Sequence, residues 1–193
     1  DDMLSANAVT THSEVVARHP EADVVYGVLE NFDDQSEKPL RLYDPKDWSM
    51  HSAMLLSSLV VGCCIPNPGT IVRRSCYKRL GGYDKAFPRA HDYEFWTRAA
   101  GCLKFQKNYN IVCRYRVHTS NMSPGTIKDP SYESRIIRRM VSNYGLKQIY
   151  NWFDWGNPEA AEIAALYTVA SNLFRIGDVH HSALFLKKIP IHL

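Results

Sequence analysis

From Ser5 to Val117, short runs of β-branched and aromatic residues alternate with helix-compatible stretches, and beyond Pro130 only helical spacing remains. This order restricts the chain to an α/β unit followed by helices. The strand signal centres on Asp23 to Leu29, and the turn-forming Asp33-Asp34-Gln35-Ser36 precedes a returning strand at Leu40 to Tyr43. Ser5 to Arg18 reads as a helix stopped at His19-Pro20, because the residue before a proline is pushed out of helical geometry. A helix is predicted within Asp47 to Leu59, then a break at Pro66-Asn67-Pro68-Gly69, a strand at Thr70 to Arg73, and a short helix at Ser75 to Leu80 closed by Gly81-Gly82. A further helix begins near Asp92 and ends at Gly101, and two strands are predicted after it, Leu103 to Gln106 and Tyr109 to Val117. The polar segment His118 to Gly125 has the composition of a mobile lid. Helical spacing follows around Ile136 to Tyr144, Pro158 to Ile176 and Val179 to Lys188, which puts a loose boundary near residue 127, with units 1–127 and 128–193.

Composition excludes several classes. The net charge of +3, from 23 basic and 20 acidic side chains, is too small and too dispersed for a nucleic-acid surface. The apolar stretch Met54 to Ile65 is interrupted by Ser57, Ser58 and Gly62 and falls short of the roughly 20 residues of a membrane span, leaving at most a peripheral membrane contact. The 5 cysteines contain no Cys-x-x-Cys pair and fit a reducing compartment. An acidic start without a secretory pattern agrees with a cytoplasmic location.

There is no P-loop, Gly-x-Gly-x-x-Gly, Gly-x-Ser-x-Gly or His-Glu-x-x-His. What remains is Asp1-Asp2, Asp92 and His118, carboxylates and an imidazole whose donor chemistry suits Mn²⁺ or Mg²⁺. Each has an ordinary reading as well: Asp is a favoured helix cap, Asp1-Asp2 a solvated chain end, and His118 a hydrogen-bonded loop residue. The Gly69-Thr70 turn lacks bulk and is a candidate place for a ligand to approach the backbone. Of Arg73-Arg74, strand alternation allows at most one to meet an anionic ligand. Arg135, Arg138 and Arg139 read as a solvated helix face.

Five segments carry a resemblance in their order and spacing: Asp1 to Leu4, Pro68 to Arg74, Leu80-Gly81-Gly82-Tyr83-Asp84, His91-Asp92-Tyr93-Glu94-Phe95-Trp96-Thr97-Arg98, and Tyr115-Arg116-Val117-His118. Over residues 1 to 123 they resemble the family 2 glycosyltransferases. The resemblance implies a partial type A glycosyltransferase fold with a mixed sheet, followed by a C-terminal helical extension. Asp1-Asp2 looks like the last two residues of an extended Asp-x-Asp motif that holds a divalent metal on a donor diphosphate, with His118 as a further ligand. On that reading the nucleotide-binding half precedes the chain, and the chain by itself is expected to be a poor enzyme. Asp92 corresponds to the family's base, although His91 stands where a Glu is usual, and His91, Trp96 and Arg98 fall in the segment that meets substrate. The implied activity is inverting transfer from a nucleotide sugar, of the UDP type, to a glycan or lipid-linked acceptor, as in polysaccharide biosynthesis. Two other readings stay open: a non-catalytic glycan- or protein-binding module, and a metal-dependent sugar-nucleotide hydrolase.

Overall fold

The computed structural model describes residues 2–119, 121 and 131–190. A five-stranded sheet forms its centre: β1 (Met3–Leu4), β2 (Val24–Asp33), β3 (Pro39–Tyr43), β4 (Ile71–Val72) and β5 (Phe105–Val117). β2 is the middle strand, parallel to β5 on one side and antiparallel to β3 and β4 on the other, while β1 pairs antiparallel with the far edge of β5. The sheet is therefore mixed, and with helices on it the architecture is the α/β, type A glycosyltransferase-like class expected from the sequence.

β2 carries a nearly continuous apolar run because both of its faces are covered. Val25 and Leu29 face α1 (Ala8–Arg18), whereas Val24 and Tyr26 join the main core with α2 (Leu55–Val61) and α4 (His91–Ala100). Gly27 is glycine for a steric reason, since a Cβ there would lie 2.7 Å from Val112 on the neighbouring strand.

Two local expectations differ from the structure. The helix predicted from Asp47 starts later, as a single 3-10 turn at Ser52–Met54 leading into α2. Tyr26 holds the preceding segment out of a helix, as an irregular stretch ending in a turn: its hydroxyl donates to Lys46 O (2.8 Å) and accepts from Trp48 N (2.7 Å), while the Asp47 carboxylate takes up Ser49 N (2.9 Å). The two strands predicted around residues 107 and 108 are one. Asn108 absorbs the irregularity, its side-chain oxygen accepting from Asn110 N (3.0 Å) and Asn110 Nδ2 (2.8 Å) where the register against β2 slips between Gly27 and Leu29.

The helices α3 (Arg74–Leu80), α5 (Ser131–Ile149), α6 (Pro158–Arg175) and α7 (Val179–Leu186) complete the chain. α5 bends at Gly145, whose φ of 69° lies in the left-handed region that glycine tolerates. Ile136, Ile137 and Met140 of α5 and Leu166, Val169 and Leu173 of α6 belong to the same core as Leu59, Val60, Phe95 and Trp96. Residue 127 and the proposed lid at positions 120 and 122–125 lie outside the described residues. Among the described residues, no helix is long and apolar enough to cross a membrane.

Candidate active site

Parallel β2 and β5 bring their C-terminal ends to one edge of the sheet, where open α/β sheets place ligands. A cleft of about 490 Å³ opens there, and Asp2, His91, Asp92 and His118 all line it, together with Tyr43, Pro66, Asn67, Pro68, Arg89 and Tyr115. Residues separated by more than a hundred positions in sequence thus share one cavity.

Asp92 is the second residue of α4. There the amide-rich helix end favours a negative charge, and its own carboxylate accepts from Tyr93 N (2.8 Å). Ala90, just before the helix, is held at φ 62°, a left-handed conformation unusual for a residue with a Cβ. Backbone strain at the point that aims His91 and Asp92 is a recurrent property of functional sites. The His91 ring meets Tyr83 edge-on, with centroids 4.9 Å apart, and Tyr83 in turn donates to Asn67 Oδ1 (3.2 Å).

On the opposite wall, the Asp2 carboxylate accepts from Arg116 N (3.0 Å), which fixes it against the end of β5 two residues before His118. Asn121 clips the turn that follows, accepting from His118 N (2.6 Å) and donating to Arg116 O (3.1 Å). Among the described residues, no group of three or more His, Cys, Asp and Glu side chains is assembled to hold a metal ion, and Asp1 lies outside them. Asp2 and His118 supply one carboxylate and one imidazole, so a hard divalent cation there would take most of its ligands from phosphate oxygens and water.

The remaining sequence candidates lie elsewhere. Gly69 and Thr70 sit beyond the cleft, beside α1. Gly69, at φ 70°, packs against Val112 and Cys113, and the Thr70 hydroxyl donates to Pro66 O (2.5 Å), so the pair shapes the turn whose other residues, Pro66 to Pro68, form the cleft wall. Trp96 is 1% exposed, among Phe95 and Phe105 in the core. Arg98 grips the buried Glu94 carboxylate (2.8–3.0 Å) and donates to Leu80 O (2.5 Å) and Gly82 O (2.8 Å), which makes it a brace for α4. The Arg73 guanidinium donates to Pro20 O (2.7 Å) and Ala22 O (2.9 Å). Arg135 and Arg139 do more than meet solvent: Arg135 stacks on Phe87 at 4.1 Å, and Arg139 bonds Asp84 (3.0 Å), so α5 holds the segment that leads into α4.

Two residues were missed in the sequence. Arg89 lines the cleft and forms a two-pronged ion pair with Glu133 of α5 (2.9 and 3.0 Å), and its place three residues before Asp92 was the available signal. His12, buried in α1, contacts Gly69 O through Nε2 (2.7 Å) and Asn108 Nδ2 through Nδ1 (3.3 Å), anchoring the cleft turn from behind. Burial pushes its pKa below the ordinary 6.5, partly offset by the bond to Gly69.

The model of glycosyltransferase-like family 2 matches residues 1–152, from Asp1 through α5. The chain belongs to this family. No curated protein matches it. As a member of glycosyltransferase-like family 2, it is of the transferase class, and the matched region contains the cleft, α4 with Asp92, and the α5 residues that brace them.

Proposed function

We propose that the cleft supports inverting transfer of a sugar from a nucleotide-diphosphate sugar, of the uridine type, to a hydroxyl of a glycan or lipid-linked acceptor. The observation that carries this reading is Asp92 at the start of α4, opening into the same cavity as Asp2, His91 and His118. Asp92 accepts the proton of the acceptor hydroxyl as that oxygen bonds to the anomeric carbon. The bond from that carbon to the diphosphate oxygen breaks on the opposite face, and configuration inverts. His91 and Tyr83 border the base and position the acceptor sugar. Asp2 and His118 would hold a divalent cation, Mn²⁺ or Mg²⁺, whose charge stabilises a departing diphosphate.

Asp92→Asn keeps the bond-accepting oxygen but removes the base, so in an enzyme that joins this chain to a nucleotide-binding half, turnover in a nucleotide-release assay should fall on the order of 10²- to 10⁴-fold with the circular dichroism spectrum unchanged. Full transfer by this variant would sink the assignment. For the cation, paramagnetic Mn²⁺ titrated into isotopically labelled protein should broaden amide signals near Asp2 and His118 first. Broadening confined to the His180-His181 pair instead would remove the metal from the proposal.

A further inference from the structure

Asp92 borders two spaces. One is the cleft that holds Asp2 and His118; the other is a second cavity of about 200 Å³, which shares Cys63, Arg89, Ala90 and Asp92 with the cleft and lies among the ends of α2 and α6 and the first turns of α5. Its walls differ in chemistry. The Arg89–Glu133 ion pair (2.9 and 3.0 Å) supplies polar groups, whereas Ile137 and Ile176 supply aliphatic surface. A sugar ring has the same two-sided character, with hydroxyls around its rim and C–H groups on its faces, and small-molecule sites combine apolar lining with a few placed polar groups. The volume lies below the roughly 300–1,000 Å³ of sites for drug-sized ligands, so the cavity suits one ring and not an extended chain.

Gly62 is part of this wall and closes α2. Glycine usually ends a helix because it tolerates the left-handed region. Gly62 instead has φ 163° and ψ 175°, extended backbone that any residue adopts, and a Cβ there would meet no heavy atom within 4 Å. Neither the backbone nor the packing calls for glycine, so the effect of the missing side chain is to leave room. Ile176, the cap of α6, reaches the cavity because Arg175 donates to Val61 O and ties the end of α6 to the end of α2. Both Arg175 and Ile176 lie beyond residues 1–152, the span that the family model matches.

We infer that the second cavity receives the terminal sugar ring of the acceptor, with Gly62 and Ile176 setting the size of the ring admitted. The inference rests on Asp92 being the base. A ring in the cavity offers a hydroxyl to Asp92 from one side, while the donor diphosphate lies across the cleft toward Asp2 and His118. Inversion needs the entering and leaving oxygens on opposite faces of the anomeric carbon, and the two spaces on either side of Asp92 supply that arrangement. The helices beyond residue 152 thereby take part in choosing the acceptor.

The test is solution NMR of the isotopically labelled 193-residue chain, titrated in turn with the methyl glycosides of glucose, galactose and N-acetylglucosamine. At least one should give saturable shifts at Gly62, Glu133, Ile137 and Ile176, with nuclear Overhauser contacts from its ring protons to the Ile137 and Ile176 methyl groups. Gly62→Leu should weaken that binding by at least about tenfold, the low end of what one misplaced methylene does in a closed pocket. Gly62→Ala should weaken it less, and both variants should keep the wild-type thermal midpoint, because the added carbon meets nothing. The inference is overturned by the absence of saturable binding, by contacts confined to the cleft around Tyr43 and Asn67, or by undiminished affinity in Gly62→Leu. These readouts are of binding and so separate from the base assignment, which the turnover of Asp92→Asn tests: loss of transfer in that variant, with no glycoside in the cavity, overturns the cavity and leaves the base standing.

Discussion

His12 shows how a residue outside the cleft governs it. Its imidazole is buried with Nε2 at Gly69 O, and burial keeps its folded pKa below 6.5. As pH falls, the unfolded chain takes up this proton first, near 6.5, while the folded state resists it. The unfolded state therefore binds more protons across that interval, and stability that is complete above about 6.5 declines below it. Thermal midpoints followed from neutral to mildly acid pH should drop less in His12→Gln than in the wild type, because a glutamine amide can still donate toward Gly69 without titrating. Parallel pH profiles for the two proteins would show that another group controls the acid limb. The sequence hid this role, because a lone histidine in a helix reads the same on either face. The family pattern around Asp92 singled it out in the sequence, and the structure puts it on the cleft wall, whereas Arg98, in the same pattern, bonds Glu94, Leu80 O and Gly82 O behind the helix.

At the scale of elements, α4 is the part that must not move. Glu94 is 1% exposed, and its carboxylate is held by Arg98 one turn along and by Arg139 of α5 at 3.4 Å. Arg98→Leu leaves that buried charge without its main partner and frees Leu80 O and Gly82 O, a change that typically costs about 3 kcal/mol. Urea denaturation should show a matching fall in the midpoint, and Glu94→Gln in the same background should restore part of the loss. Strands and helices were largely readable from periodicity and breakers. What was not readable is where tertiary contacts override local preference: Tyr26 holding residues 46 to 48 out of a helix, and the Asn108 side chain carrying β5 through its bulge.

For the whole molecule, the sequence suggested a seam near residue 127, since strand signals stop and helices take over there. Packing runs across that position. Leu59 and Val60 of α2 and Trp96 of α4 are buried in one cluster with Ile136, Ile137 and Met140 of α5 and Val169 and Leu173 of α6, while Asp178, at the start of α7, accepts from the Ser134 hydroxyl of α5. Burial alone would raise the Asp178 pKa, but the hydrogen bonds from Ser134 and His181 hold it below the usual carboxylate range, so this tie is strongest when the carboxylate is charged. Each large aliphatic side chain in such a core stabilises by roughly 1.5–3 kcal/mol, so uncovering several at once exceeds the whole margin of an ordinary domain. A chain ending at residue 127 should therefore lack near-ultraviolet circular dichroism and cooperative melting. The full chain should unfold in one transition, with tryptophan fluorescence and far-ultraviolet circular dichroism giving coincident curves. Two separated transitions, or a stably folded 1–127 piece, would show that the helices dock on an independent domain instead of completing its core.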